Sequence, residues 1–202
     1  AYVNWGVNLS LDENLDEAID KLETSAMLQP HAPIVQMNLG RVYMKKGLYP
    51  EAIARFDKVI RLEKGNSTAY SLAAACYILQ DEFREGENYY KKACKLGPNN
   101  PQIHTNYATA LAQKGKRYKA LEIYKAALKI QENNFEALHY MGLIYCELGK
   151  FEDAEETLEK ALKVESGNPV TYFYLAVCKF RLEKPQECLE LVEKALELRP
   201  NY

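Results

Sequence analysis

The sequence predicts an all-α fold built from one helix pair written six times. Three observations carry that expectation. A small residue recurs every 34 residues, at Gly6, Gly40, Ala74, Ala108, Gly142 and Ala176, without insertion or deletion. Within each period apolar residues return at intervals of three and four, as in Leu39, Val42 and Tyr43 and then Ala52, Ile53, Phe56, Val59 and Ile60; that is the spacing of helices with one buried stripe. Asparagine, proline and glycine fall between those stripes at fixed points, where helix ends need them.

Two further small positions run Ala18, Ala52, Gly86, Ala120, Ala154, Cys188 and Ser25, Val59, Ala93, Ala127, Ala161, Ala195. A large position runs Leu22, Phe56, Tyr90, Tyr124, Leu158, Val192. Small residues at fixed points predict helices that cross closely, with the large residues filling the space between them. The first unit starts inside a helix. The second opens on Pro33, ends its first helix at Gly47 and starts its second near Pro50. Asn66, Asn100, Asn134 and Asn168 precede the third to sixth units as N-caps, and Pro101 and Pro169 follow two of them at a first helical position, where a missing N–H costs nothing. Gly115 and Gly149 close first helices as Gly47 does, with acidic counterparts at Asp81 and Glu183. Pro185 lies near the start of the last helix; Pro30, Pro98 and Pro200 follow the ends of second helices.

This pattern resembles the tetratricopeptide repeat (TPR) family over essentially the whole chain. Early in the first helix the aromatic expected from the family is His104 or Leu138 in two units. The resemblance implies a right-handed superhelical solenoid of six helix-turn-helix repeats, approximately 1–32, 33–66, 67–100, 101–134, 135–168 and 169–202, making one domain over 1–202. Such arrays usually carry polar terminal caps. None is written here, so either flanking sequence is missing or another molecule covers an end. The absent initiator methionine fits a trimmed piece of something longer.

The formal net charge of −2 gives no global attraction to nucleic acid or anionic membrane. No apolar run reaches the roughly 18 residues of a membrane span, and the N-terminus lacks a signal peptide's basic start and apolar core. Membrane insertion is therefore not expected. Cys76, Cys94, Cys146, Cys178 and Cys188 form no CxxC pair and are odd in number, which points to a reducing compartment and a cytoplasmic location. His31, His104 and His139 supply no evident acid–base pair, and metal-site, phosphate-loop and nucleophile-elbow motifs are missing. The expectation is no enzyme, no cofactor and no metal. Cys188, at a position other repeats give to Ala or Gly, reads as a small core residue.

Charge is unevenly placed. Asp12, Glu13, Asp16, Glu17, Asp20 and Glu23 stand against Lys21; residues 84–129 are rich in Lys and Arg; Glu147, Glu152, Asp153, Glu155, Glu156 and Glu159 stand against Lys150. A solvated outer surface explains this simply. Self-association, an acidic end meeting a basic middle, is the sharper alternative. With no aromatic stacking platform interleaved with an RNA-type motif, the middle is not expected to bind nucleic acid.

In proteins of the resembled family the first helices line a concave groove that holds a partner peptide or helix. By phase that face comprises Asn4 and Val7; Asn38, Arg41 and Lys45; Thr68, Ser71, Ala75 and Ile78; Thr105, Asn106, Thr109 and Ala112; Glu136, His139, Tyr140 and Leu143; Phe173, Tyr174 and Val177. Some relatives grip a C-terminal carboxylate with lysine, asparagine and arginine; here the corresponding positions hold Ser71, Ala75, Asn106, Glu136 and Tyr140, so acidic C-terminal tails are not expected to bind. An asparagine ladder at Asn4, Asn38 and Asn106 is interrupted by Leu72, Tyr140 and Tyr174. The groove is thus polar and basic at its start and aromatic at its end. The functional expectation is a non-catalytic interaction module or scaffold that helps assemble a multiprotein complex. Its alternatives are a scaffold that stacks end to end, and a regulatory segment of a larger enzyme.

Overall fold

The structure, a computed structural model, describes residues 14–199. Among them are eleven α-helices and no strand: α1 (Leu15–Leu28), α2 (Pro33–Lys46), α3 (Tyr49–Leu62), α4 (Ser67–Leu79), α5 (Phe83–Leu96), α6 (Pro101–Gln113), α7 (Arg117–Ile130), α8 (Phe135–Glu147), α9 (Phe151–Val164), α10 (Pro169–Arg181) and α11 (Pro185–Leu198). They are the second helix of the first repeat and both helices of the other five. Expectations placed on Asn4, Gly6, Val7, Asp12, Glu13 and Pro200 lie outside the described residues.

The chain divides into two compact units, Ala1–Lys114 and Gly115–Tyr202. In the first, α2 packs on α1 and α3, α4 on α3 and α5, and α6 on α4. In the second, α8 packs on α7 and α9, and α10 on α9 and α11.

The helix ends are set by the residues that the period singles out. Side-chain oxygens of Asn66, Asn100, Asn134 and Asn168 accept from the backbone N–H of Ala69, Gln102, Ala137 and Thr171, at 2.9, 3.1, 2.9 and 3.0 Å. Each satisfies a donor that the first turn leaves without an intrahelical partner. Asn14 caps α1 in the same way, through the N–H of Glu17. First helices share one exit: the N–H of Leu48, Glu82, Lys150 and Lys184 donates to the carbonyl of Tyr43, Tyr77, Tyr145 and Lys179, each at 2.9 Å. The residue just before each donor is left-handed, with φ of 82° at Gly47, 66° at Asp81, 71° at Gly149 and 58° at Glu183.

Small-against-large packing holds the pairs together. A Cβ added at Gly40 would fall within 2.6 Å of the Phe56 ring, and one added at Gly142 within 2.5 Å of Leu158 Cγ. The recurrent alanines Ala52, Ala74, Ala93, Ala120, Ala127, Ala154 and Ala161 have no exposed surface. Three positions depart from this rule. Tyr90 is half-buried, its ring flat on Tyr107 with 4.2 Å between centroids, and Cys188 and Val192 are half-buried on α11.

Candidate partner-binding face

In the first unit the predicted face divides by burial. Arg41 and Lys45, on α2, are exposed, and Asn38 is half-buried. Arg41 and Lys45 line a cavity of about 390 Å³ together with Met44, Tyr49, Leu72, Leu79 and Gln113. Although Arg41 as a whole is exposed, its guanidinium lies close enough to the protein for desolvation to lower its pKa. Cationic groups beside an apolar floor can hold a partner segment that carries both acidic and bulky apolar side chains.

Other predicted residues of this unit are committed to packing. Ser71 is 1% exposed; its hydroxyl accepts from Asn106 Nδ2 at 3.1 Å and donates to the Ile103 carbonyl at 3.5 Å. Asn106 Oδ1 in turn accepts from Gln102 Nε2 at 3.0 Å. Thr105 is buried, donating to the carbonyl of Gln102, while Thr109 is half-buried. Ala75 and Ile78, read from the same phases, are fully buried. Neighbouring first helices come close enough here to consume the face that periodicity assigns to a ligand.

In the second unit His139 is buried. Its Nδ1 lies 2.8 Å from Thr171 Oγ1, and its ring stacks on Phe135 and meets Tyr140 edge-on. Burial lowers its pKa and keeps the imidazole neutral near pH 7. Tyr140 is half-buried in a parallel arrangement with Tyr124, their centroids 6.2 Å apart, and burial raises its phenol pKa. Leu143, Tyr174 and Val177 are half-buried. Phe173 is 39% exposed and Phe180 66%. Phe173, Ala176, Val177, Phe180, Arg181, Cys188 and Val192 line a second cavity of about 330 Å³.

Several cavity residues were not singled out from the sequence. Leu79, Gln113 and Arg181 share the phase of Lys45 at multiples of the 34-residue step, so the period itself carries the signal that would have found them. Cys188 and Val192 hold packing phases, and their half-exposure shows that packing is incomplete there.

Nothing in the described residues assembles a reaction centre of the metal type: no group of three or more His, Cys, Asp and Glu could hold a metal ion. No described helix is long and apolar enough to cross a membrane. Helix pairs repeated at a fixed period define a helical-repeat protein. Residues 81–199 match the family described as the cilia and flagella-associated protein 70 middle TPR-like domain, and residues 11–76 match a tetratricopeptide repeat family. The first match spans more than half of the chain, which belongs to that family of TPR-like domains.

Among curated proteins, the BBSome complex member BBS4 of Xenopus tropicalis is 29% identical over 104 residues, which are 52% of this chain and 20% of that protein. The chain thus spans about a fifth of the length of this relative. Among solved structures, yeast Tom70 aligns with a TM-score of 0.78 at 22% identity, covering 90% of this chain and 39% of that one. YrrB, described as a TPR protein with an unusual peptide-binding site, aligns with a TM-score of 0.58 at 20% identity, covering 90% and 93%. At those identities the structural likeness speaks for the fold.

Proposed function

We propose that the protein is a non-catalytic scaffold of the cytoplasm that holds a partner polypeptide on the first-helix face of its repeats and helps assemble a multiprotein complex. The observation that carries this reading is that predicted face residues line open cavities. Arg41 and Lys45 border one in the first unit, and Phe173 and Val177 border another in the second. A half-exposed aromatic beside an apolar hollow is the usual anchor of a protein interface. Likeness to a member of the BBSome complex supports the scaffold part of the reading. Buried Ser71, Thr105 and His139 are left out of the contact set, since they already bond between or within helices.

The test selects peptides from a random displayed library on the purified chain and measures them by fluorescence polarisation. Tyr140→Ala combined with Phe173→Ala should weaken the selected peptides by about 2 kcal/mol, roughly thirtyfold. Circular dichroism should show the helices unchanged. Equal affinity in the double variant would remove this face from the proposal. A second reading, association between copies, is favoured by Phe180 and Leu189, 66% and 56% exposed on α10 and α11. Light scattering behind size exclusion, across protein concentration and salt, separates the two readings. A mass that stays monomeric dismisses the second.

A further inference from the structure

Two sulfurs of the second unit meet between neighbouring first helices. Cys146 Sγ, on α8, lies 2.9 Å from Cys178 Sγ, on α10. A disulfide bond is about 2.05 Å long, so joining them needs a closure of less than about 1 Å. Cys146 is half-buried, with its thiol also 3.9 Å from the Tyr174 carbonyl, while Cys178 is fully buried. Two repeats earlier in phase, the same two positions hold Ile78 and Ala110, so packing does not require sulfur there.

We propose that Cys146 and Cys178 are an oxidation site, where a peroxide joins the two thiols into a reversible disulfide that ties α8 to α10. The hydrogen bond between them divides their acidities: it raises Cys146 and, by donation from the Cys146 thiol, lowers Cys178. Cys178, lowered by that bond, is the resting thiolate and serves as base: taking the proton from Cys146 along the hydrogen bond, it leaves the more accessible Cys146 as the attacking thiolate. That thiolate attacks one oxygen of hydrogen peroxide. The O–O bond breaks, hydroxide leaves and takes up the released proton, and Cys146 becomes a sulfenic acid. Cys178 then attacks the Cys146 sulfur; the S–O bond breaks and the hydroxyl leaves as water with the Cys178 proton. Two thiols and one peroxide give one disulfide and two waters, the sulfurs losing the two electrons that the peroxide gains. A dithiol reductant reverses the step by exchange.

The other cysteines are less suited. Cys76 lies buried in the hydrophobic core, the Cys94 thiol is hydrogen-bonded to Tyr90 rather than to a second sulfur, and Cys188 faces the apolar cavity. A bond between α8 and α10 would fix the spacing of consecutive first helices beside Leu143 and Val177, which gives oxidation a route to the candidate face. The proposal itself does not rest on that face binding anything.

The full chain, treated with limiting hydrogen peroxide and then blocked with N-ethylmaleimide, should show two fewer free thiols than the five of the reduced protein. Trypsin without reductant should release residues 130–150 linked to residues 164–179, lighter by two hydrogens than the separate peptides. Dithiothreitol should restore all thiols. Cys146→Ser and Cys178→Ser should each abolish the linked peptide, with circular dichroism reporting that the helices persist. Because the buried Cys178 variant could misfold, Cys146→Ala serves as the second control. Five thiols remaining after peroxide, or linkage through Cys94 or Cys188, overturns the proposal.

Discussion

The helix pairs α8–α9 and α10–α11 follow the same template and satisfy it differently. In the first, Gly142 receives Leu158, and α9 buries Ala154, Leu158 and Ala161. In the second, the equivalent large residue, Val192, is half-buried, and Ala195 is the one residue that α11 buries fully. The phase that holds Tyr43, Tyr77 and Tyr145 in other repeats holds Lys179 here. Lys179 is 6% exposed, and its ammonium pairs with Glu155, with Glu159 at 3.0 Å and with Glu187 at 2.6 Å, while Lys184 also reaches Glu155 at 2.7 Å. Tyr43 shows the milder form of the same solution: its hydroxyl donates to Glu23 and Arg55 lies over its ring, and burial first, then Glu23, pushes its phenol up to about 12. One position can therefore be closed by an aromatic ring or by a charge whose partners surround it. The second way needs every partner present.

The comparison breaks most severely at Gly142. Gly142→Val should cost about 3 kcal/mol, because its side chain would enter space that Leu158 occupies down to Cγ. Leu158→Ala in the same chain should return part of that loss, so urea unfolding of the cycle should give a favourable coupling. Independent, additive losses would mean that the crossing is not close. On the other pair, Lys179→Met should cost about 2 kcal/mol; Glu155 keeps Lys184, and Glu159 and Glu187 are half-exposed and can rehydrate.

The pH dependence of the cluster has a definite sign. Burial would lower Lys179, but its hydrogen bonds to Glu155, Glu187 and Glu159 outweigh this and raise it above the ordinary lysine value of 10.5. That stabilisation is complete below 10.5 and is lost as pH rises beyond it. Glu155, which burial would raise, is held below the ordinary 4.5 by Lys179 and Lys184, so its share is complete above 4.5 and is lost as pH falls through the lowered value. Lys179→Met should shift the acid limb of the unfolding profile to higher pH. An unmoved acid limb would show that Lys184 alone sets Glu155.

Periodicity made the helices, their caps and the small-against-large crossings legible, because each is set by residues close in sequence or by one repeated phase. Asn66, Asn134 and Asn168 needed no tertiary knowledge to be placed. The candidate face was less legible. Ser71 and His139 sit in phases that a lone helix would expose, and they are buried because Ile103 and Thr171 on a neighbouring first helix close over them. Phase gives the direction of a side chain, and only the neighbour decides whether that direction is open. Lys179 was hidden for a related reason: its three carboxylates come from two other helices, and no local pattern announces them.

The smallest effects sharpen the comparison at the turns. Gly149 closes α8 and Glu183 closes α10 with the same left-handed backbone and the same six-residue hydrogen bond. An L side chain in that conformation costs about 1–2 kcal/mol, and a glycine adds roughly 0.5–1 kcal/mol of unfolded-state entropy. Glu183→Gly should therefore stabilise the chain by about 0.5–1 kcal/mol, read as a higher urea midpoint at unchanged slope. Asp81 is left-handed too, at φ 66°, but its carboxylate pairs with Lys114 at 2.6 Å. Both side chains are partly exposed, so that pair is worth up to about 1 kcal/mol, enough to offset the relieved strain. Asp81→Gly should leave the midpoint nearly where it was at low salt and raise it slightly at high salt, where screening has already removed the pair from the wild-type chain. If both substitutions gave the same gain at low salt, the Lys114 pair would contribute nothing, and the two turns would differ in sequence alone.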